Sequence, residues 1–395
     1  CMIREQDAAM VTFRTKLFRG LVWSVVWVLA VVFPFFLLPS LMSGPAPPPP
    51  IQSTNPFLKF PNDTPIPINS VGGWAAREAC RYPLDVLFFV HSAPNHWKHR
   101  AVYRDTLASP MATGFFNWTA VYFVGESKDD DVSKAWNQLE ADWTGDLVIL
   151  PFLDSYRNLS LKFVGGMQWV IQNCPRARYI VKLDDDLFVE PKLLQWYMLS
   201  NVTATSRDLH CFIWDNMHTY RDPGSPWYVP MELFPAAHYY TYCSGRSIIM
   251  TMAVMRDLYR WSSLVPSYSV DDAYVTGDLA LAAGVGHINM QAHITWADEE
   301  AYGVLRGRYV FAHVSCGYGF IMRRALWHLA VVAGGLVGWQ PEKGYNQLGD
   351  VSARLTTMGF TKSSPPRTIP ELELKLAYYS ACHATIRSVD SGMAR

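Results

Sequence analysis

Short, nearly continuous apolar runs alternate along the middle of the chain with longer stretches whose apolar residues recur at helical spacing. Leu84 to His91, LDVLFFVH, is bounded by Pro83 and by SAPN; a brief apolar run between turn signals reads as a strand buried on both faces of a sheet. AVYFV from Ala120 to Val124, DLVILP from Asp146 to Pro151 and RYIVKL from Arg178 to Leu183 repeat the pattern. Between the last two, Leu161, Val164, Met167, Trp169, Val170 and Ile171 form the broad apolar face of an amphipathic helix over Leu159 to Asn173. Asn95 to Leu107 reads as a further helix, with Arg100 and Arg104 one turn apart. Strands alternating with helices predict an α/β domain with a largely parallel sheet, and such sheets bind ligands at the carboxyl ends of their strands.

The amino-terminal pattern is different. Leu21 to Leu38, LVWSVVWVLAVVFPFFLL, holds no charge, and Arg14, Lys16 and Arg19 precede it. About 18 to 20 apolar residues suffice to cross a bilayer, and a basic flank keeps the amino-terminal side cytoplasmic. Residues 1–20 are therefore expected as a cytoplasmic tail and 21–39 as a signal anchor, although a cleaved signal peptide competes with this reading. Pro45 and Pro47 to Pro50 open a polar, proline-dotted stem over 40–71 that favours extended chain over a packed core. A folded domain is expected over 72–340, and 341–395 is an extension with no assigned role.

Charge and cysteine content sharpen this only in part. Lys plus Arg equals Asp plus Glu at 34 each, so no net field points to nucleic acid. The seven cysteines contain no C-x-x-C pair, which argues against structural zinc and leaves disulfides with unassigned pairing. Asn62, Asn117, Asn158 and Asn201 stand in glycosylation sequons, which suits a lumenal domain.

YIVKLDDDLFVEP, from Tyr179 to Pro191, sets Asp184, Asp185 and Asp186 directly after one strand-like run. Alternation along a strand sends Asp184 and Asp186 one way and Asp185 the other. Unpaired like charges at a core edge must protonate or find a cation. Two carboxylates on one face can hold a hard divalent cation together with water and phosphate oxygens, a chemistry that suits a nucleotide-sugar enzyme. A solvated acidic turn is the other reading.

The surrounding motifs carry more. DSYRNLSLKFVGGMQWVIQNCPRARYIVKLDDDLFV from Asp154 closely resembles the central segment of the β-1,3-galactosyltransferase family. VHSAPNHWKHRAVYRDTL is similar to the family's V-x-S-x-P…R-x-x-I-R-x-T-W, departing at Tyr103 and Leu107. YYTYCSGRSIIMT resembles Y-P-x-Y-C-x-G-x-x-Y-x-x-S, with Arg246 and Ser247 where small residues are common. DDAYVTGDLALAAGV is similar to E-D-V-x-x-T-G-x-x-A…G-V, with Asp271 for the glutamate and Ala273 for the valine. FAHVSCGYGFIMRRALWHLA looks like the family's closing strand and helix, so the resemblance runs from about Cys80 to Leu329.

The resemblance implies a Golgi type II membrane enzyme of the GT-A fold. Its reaction would be inverting, dependent on Mn²⁺ or a similar metal, and fed by UDP-galactose or UDP-N-acetylglucosamine, with a glycan on protein or lipid as acceptor. Carried over, Asp184, Asp186 and His313 hold the metal, with Asp184 and Asp185 also contacting the donor. Asp272 is the base that deprotonates the acceptor hydroxyl, and Asp271 is its alternative or support. Arg100 and Arg104 are candidates for the donor phosphates, or for bridges to surface acids. Adjacent acids at 271–272 could instead favour a helix amino terminus. A catalytically inactive lumenal glycan-binding or chaperone-like relative is the competing functional class; a metal phosphodiesterase would need further His or Asp motifs, which the sequence lacks.

Overall fold

The computed structural model describes residues 70–127, 131–314 and 319–333. The expected tail, the 21–39 span, nearly all of the stem and the 341–395 extension lie outside them. Among the described residues no helix is long and apolar enough to cross a membrane.

The strands in chain order are β1 (Val71–Gly72), β2 (Leu84–His91), β3 (Trp118–Glu126), β4 (Leu147–Leu153), β5 (Ala177–Asp184), β6 (Leu187–Val189), β7 (Asp208–Trp214), β8 (Tyr242–Thr251), β9 (Gly286–Asn289), β10 (Ile294–Thr295) and β11 (Phe311–His313). Eight make one mixed sheet in the order β1-β4-β3-β2-β5-β8-β7-β9, and the short β10-β11-β6 form a second. Strands β4, β3, β2 and β5 run parallel, whereas β8 runs antiparallel to both β5 and β7. The expected α/β architecture with a largely parallel sheet is therefore present.

Both faces of the central strands are covered, which is why their sequences read as unbroken apolar runs. Val86, Phe88 and Val90 of β2 face one core, with Tyr103, Leu107 and Phe116. Leu87 and Phe89 face the other, with Phe163, Met167 and Val170. Tyr103 and Phe116 come from helices α1 (Trp97–Asp105) and α2 (Pro110–Phe116) and Leu107 from the turn between them, and the second set comes from α3 (Leu159–Asn173). At Gly166 of α3 a Cβ would stand 2.4 Å from the Phe89 ring, so glycine there lets helix and sheet approach closely.

The topology fixes where a ligand can sit. The chain steps from β2 outward through β3 to β4 and then returns to place β5 on the other side of β2. That reversal opens a crevice beyond the carboxyl ends of β2 and β5, where His91 pairs in register with Asp184. Strand β8, antiparallel to β5 with Leu183 opposite Ser247, brings Gly245 and Arg246 to the same end.

Two features lay beyond the sequence reading. Cys80 is bonded to Cys174 and Cys211 to Cys243, the second bridge tying β7 to β8; such bridges belong to oxidising compartments. The helix that carries Asp271 and Asp272 begins at Asp271 itself and contains a π-helical turn over Tyr274–Asp278 before Gly284 ends it with φ 64°. Single π turns of this kind are frequent at functional sites. Replacing both Cys211 and Cys243 by serine is expected to lower stability by about 2–5 kcal/mol. Thermal unfolding of the variant beside the native protein checks this, and equal midpoints would contradict it.

Candidate functional site

Asp184, Asp185 and Asp186 close β5 and form the turn into β6, and each finds a different partner. Lys182 lies two residues before Asp184 and so shares its side of the strand; its ammonium stands 2.6 Å from Asp184 Oδ1 and also donates to the Gly245 carbonyl. Lys182 is 1% exposed, a buried cation whose charge is compensated at the sheet's end. Asp186 Oδ2 lies 3.1 Å from His313 Nε2, and His313 Nδ1 lies 3.0 Å from Asp298 Oδ1. Strand β11 supplies His313 through its antiparallel pairing with β6, which sets His313 opposite Leu187. Burial alone would raise the pKa of Asp186, but the bond and charge of His313 bring it below the ordinary carboxylate value. Burial likewise opposes the charge on His313, and Asp186 and Asp298 outweigh it, raising the imidazole to about 9.

Asp185 turns the other way and is consumed by structure. Its carboxylate accepts from Ser92 Oγ at 2.5 Å and lies 3.0 Å from His96 Nδ1, while its carbonyl accepts from Arg323 Nη1. A sugar contact from Asp185, expected from the motif, gives way to this role, since the residue is 5% exposed. Ser92 joins the network to Arg100 Nη1 and, through its carbonyl, to Lys162, which is paired with Asp154 at 2.8 Å. The first and last residues of the segment DSYRNLSLK, Asp154 and Lys162, are thus an ion pair beneath the crevice.

Asp271 and Asp272 approach from the opposite wall. Asp272 Oδ1 accepts from the Ala273 amide at 2.8 Å and Oδ2 from the Gly245 amide at 3.4 Å. A Cβ at Gly245 would lie 3.2 Å from the Asp272 Cβ, so glycine leaves room for the carboxylate. Burial and then the charge of Asp271 push Asp272 up to about 7. Asp271 lies 3.8 Å from His91 Nδ1, and burial with the charges of Lys182 and Lys162 drives the pKa of His91 well below its usual value, leaving it neutral. Gly245 therefore touches both halves of the site, Lys182 through its carbonyl and Asp272 through its amide. His91 and Lys182 were not singled out from sequence, though strand alternation already placed Lys182 beside Asp184.

Among the described residues one group of three is close enough to share a metal ion, His96, His99 and Asp185, with candidate ligand atoms within 4.8 Å of one another. Arg323 Nη2 already stands 3.2 Å from His99 Nδ1, and a fixed guanidinium disfavours a second cation there. Asp186 and His313 suit a divalent cation better. Their donor atoms face each other, and Asp186 Oδ1 is buried without a hydrogen-bond partner. Carboxylate with imidazole is a donor set compatible with Mn²⁺. Asp184 does not share this contact; it is held by Lys182.

Residues 98–291 match the sequence model of the family described as Galactosyltransferase. Over that segment, just under half of its length, the chain is similar to the galactosyltransferase family. A mouse acetylgalactosaminyl-O-glycosyl-glycoprotein beta-1,3-N-acetylglucosaminyltransferase is 29% identical over 212 residues, 51% of this chain and 53% of that protein. Beta-1,3-galactosyltransferase 1 of Homo sapiens is 32% identical over 155 residues, 39% of this chain and 47% of that protein. The chain thus spans about half the length of the curated relatives it matches. The solved galactosyltransferase LgtC, in complex with donor and acceptor sugar analogs, aligns with 66% of this chain and 100% of its own at 13% identity and a TM-score of 0.32.

The two arginines, candidates for phosphate or for bridges to acids, take the second course. Arg100 is fully buried, bonded to Glu140 Oε1 at 2.8 Å and Oε2 at 2.6 Å. Arg104 binds Glu140 at 2.7 Å and both oxygens of Asp146 at 2.7 and 2.9 Å. Their partners lie on and just after the helix Asp131–Thr144, and helical spacing alone cannot distinguish these acids from a phosphate. Arg100→Met is expected to destabilise the fold by about 3–5 kcal/mol, because it leaves Glu140 and Ser92 short of a buried cation. UDP affinity of the folded fraction should be unchanged; calorimetric unfolding and UDP titration on one preparation test both.

Proposed function

We propose that this chain is an inverting, metal-dependent glycosyltransferase of the GT-A type. It moves galactose or N-acetylglucosamine from a UDP-sugar to a hydroxyl of a glycan acceptor in β1,3 linkage, on the lumenal side of the Golgi membrane. The observation that carries this reading is that Asp184 and Asp272 meet in one crevice, linked through Lys182 and Gly245, with the Asp186–His313 pair two residues along from Asp184, in a chain similar to the galactosyltransferase family. The two disulfides suit the lumenal placement.

Asp186 and His313 would hold the divalent cation, with Asp184 beside them. When bound, such a cation neutralises diphosphate charge and stabilises the leaving group. Asp272 takes the proton of the acceptor hydroxyl as that oxygen attacks the anomeric carbon. The bond from that carbon to the UDP oxygen breaks, and UDP departs with the electron pair. A base with a pKa of about 7 is about half ionised at neutral pH and basic enough to accept this proton. The groups facing it are Asp271, Lys182 and the Gly245 amide, with Tyr239 and Tyr242 nearby.

Asp186→Ala is expected to abolish Mn²⁺-dependent transfer; because it also removes the ion-pair partner of His313, which keeps Asp298, some loss of stability is expected as well, and thermal unfolding confirms that the variant is folded under the assay conditions. Full activity of that variant at limiting Mn²⁺ would defeat the metal assignment, and metal-dependent UDP-sugar hydrolysis by the parent separates an enzyme from an inactive binding relative.

For Asp272, kcat/KM should fall roughly tenfold per pH unit below about 7, because the protonated carboxyl accepts no proton. Asp272→Asn should lower transfer by roughly 10²- to 10⁴-fold with UDP affinity retained. Its folded-state pKa is raised, so the parent loses stability as pH climbs from the unfolded carboxylate value to about 7. The Asn variant lacks that loss and should melt higher than the parent at pH 8. Comparable transfer by both proteins would place the base elsewhere.

A further inference from the structure

Arg246 is absorbed by none of the roles above. It stands on β8 one residue past the last pair with β5, Leu183 opposite Ser247, so it reaches the mouth of the crevice at the level of Asp184. Its neighbour Gly245 is the residue that touches both Lys182 and Asp272. The Arg246 guanidinium lies 4.8 Å from the centroid of the Trp296 ring. Trp296 follows β10 and is braced against Phe212, with ring centroids 5.3 Å apart. The two strands that position His313 and Asp186 pair in the same small sheet as β10, so the ring that seats the arginine and the pair proposed to hold the metal share one frame. The charge of Arg246 acts on both members of that pair, helping to hold down the pKa of Asp186 and opposing the rise of His313. Arg246 is half-buried and takes part in none of the ion pairs found among the described residues.

A guanidinium seated on an aromatic face keeps its charge and its planar fork while giving up little freedom. Asp184 already has Lys182 and Asp186 already has His313, so neither acid requires this third cation. Its fork suits an incoming group with two or more anionic oxygens. Asp186 and His313 direct the diphosphate to the same end of the crevice under the function proposed above. We propose that Arg246 is a binding residue for the diphosphate of the nucleotide-sugar donor, held in place by Trp296. It would contact the same group whose negative charge grows as the sugar leaves, and so favour departure as well as binding.

The inference rests on the donor-site reading, and calorimetric titration of the full chain with UDP, UMP and uridine in Mn²⁺ separates the two. Arg246→Gln should weaken UDP about 10- to 100-fold, the range for losing a charge-assisted contact. UMP should weaken less and uridine not at all. Arg246→Lys, which keeps the charge without the fork, should fall between the parent and the Gln variant. Failure of the parent itself to bind UDP would remove the donor-site reading and this inference with it. If the parent binds UDP and Arg246→Gln binds it equally well, the diphosphate role alone is overturned. An equal loss for uridine and UDP would also overturn it, since that marks a distorted site. Retained UDP affinity with transfer lost only toward a carboxylated acceptor would place the guanidinium on the acceptor side instead.

Discussion

A buried ammonium holds this site together. Lys182 comes from the middle of the sheet, yet its Nζ ends among Asp184, the Gly245 carbonyl and the field of Asp271 and Asp272. Desolvating a lysine is costly unless it is paired and hydrogen-bonded, and gathering carboxylates in one crevice is costly unless a cation lies near. Each problem offsets the other. The parallel strands carry the acids on one wall, the antiparallel β8 brings Gly245, and the helix from Asp271 supplies the second wall. Remove the cation and the two walls repel.

A second polar system lies beneath the first and fixes its position without entering it. Ser92 bonds Asp185 and receives Arg100, and its carbonyl receives Lys162. Through Glu140 and Asp154 the same network reaches the helix 131–144 and the end of β4. Charged side chains this deeply buried are satisfied several times over, as a low-dielectric interior demands. Asp185 belongs to this layer even though it sits between two residues of the upper one, because successive residues there point to opposite sides.

What the sequence disclosed follows from the range of the interactions involved. Strands β2 to β5 and the helix Leu159–Asn173 were legible because burial on both faces writes itself as local apolar runs. The acid cluster at the end of β5 was legible for the same reason, its place being set by the strand before it. His313 was a candidate only through the family resemblance, since its contact with Asp186 depends on β11 pairing with β6 across 127 residues. The disulfides were equally hidden, Cys80 and Cys174 being 94 residues apart. Arg100 and Arg104 show the complementary ambiguity, for a helical face that pairs with Glu140 looks the same in sequence as one awaiting phosphate.

The competition between two candidate metal positions turns on electrostatics rather than on the number of donors. His96, His99 and Asp185 offer three donor residues, but Arg323 stands against His99 and bonds the Asp185 carbonyl. A divalent ion there would have to displace a buried guanidinium whose other contacts are ring faces, those of Tyr103 and Phe320. At Asp186 and His313 the cation that must leave is a proton. Asp186 and Asp298 raise the pKa of His313 to about 9, so its charge balances Asp186. Under the function proposed above, a metal ion binding there would release that proton, and the histidine would serve as its own placeholder, its neutral ring then free to act as a ligand.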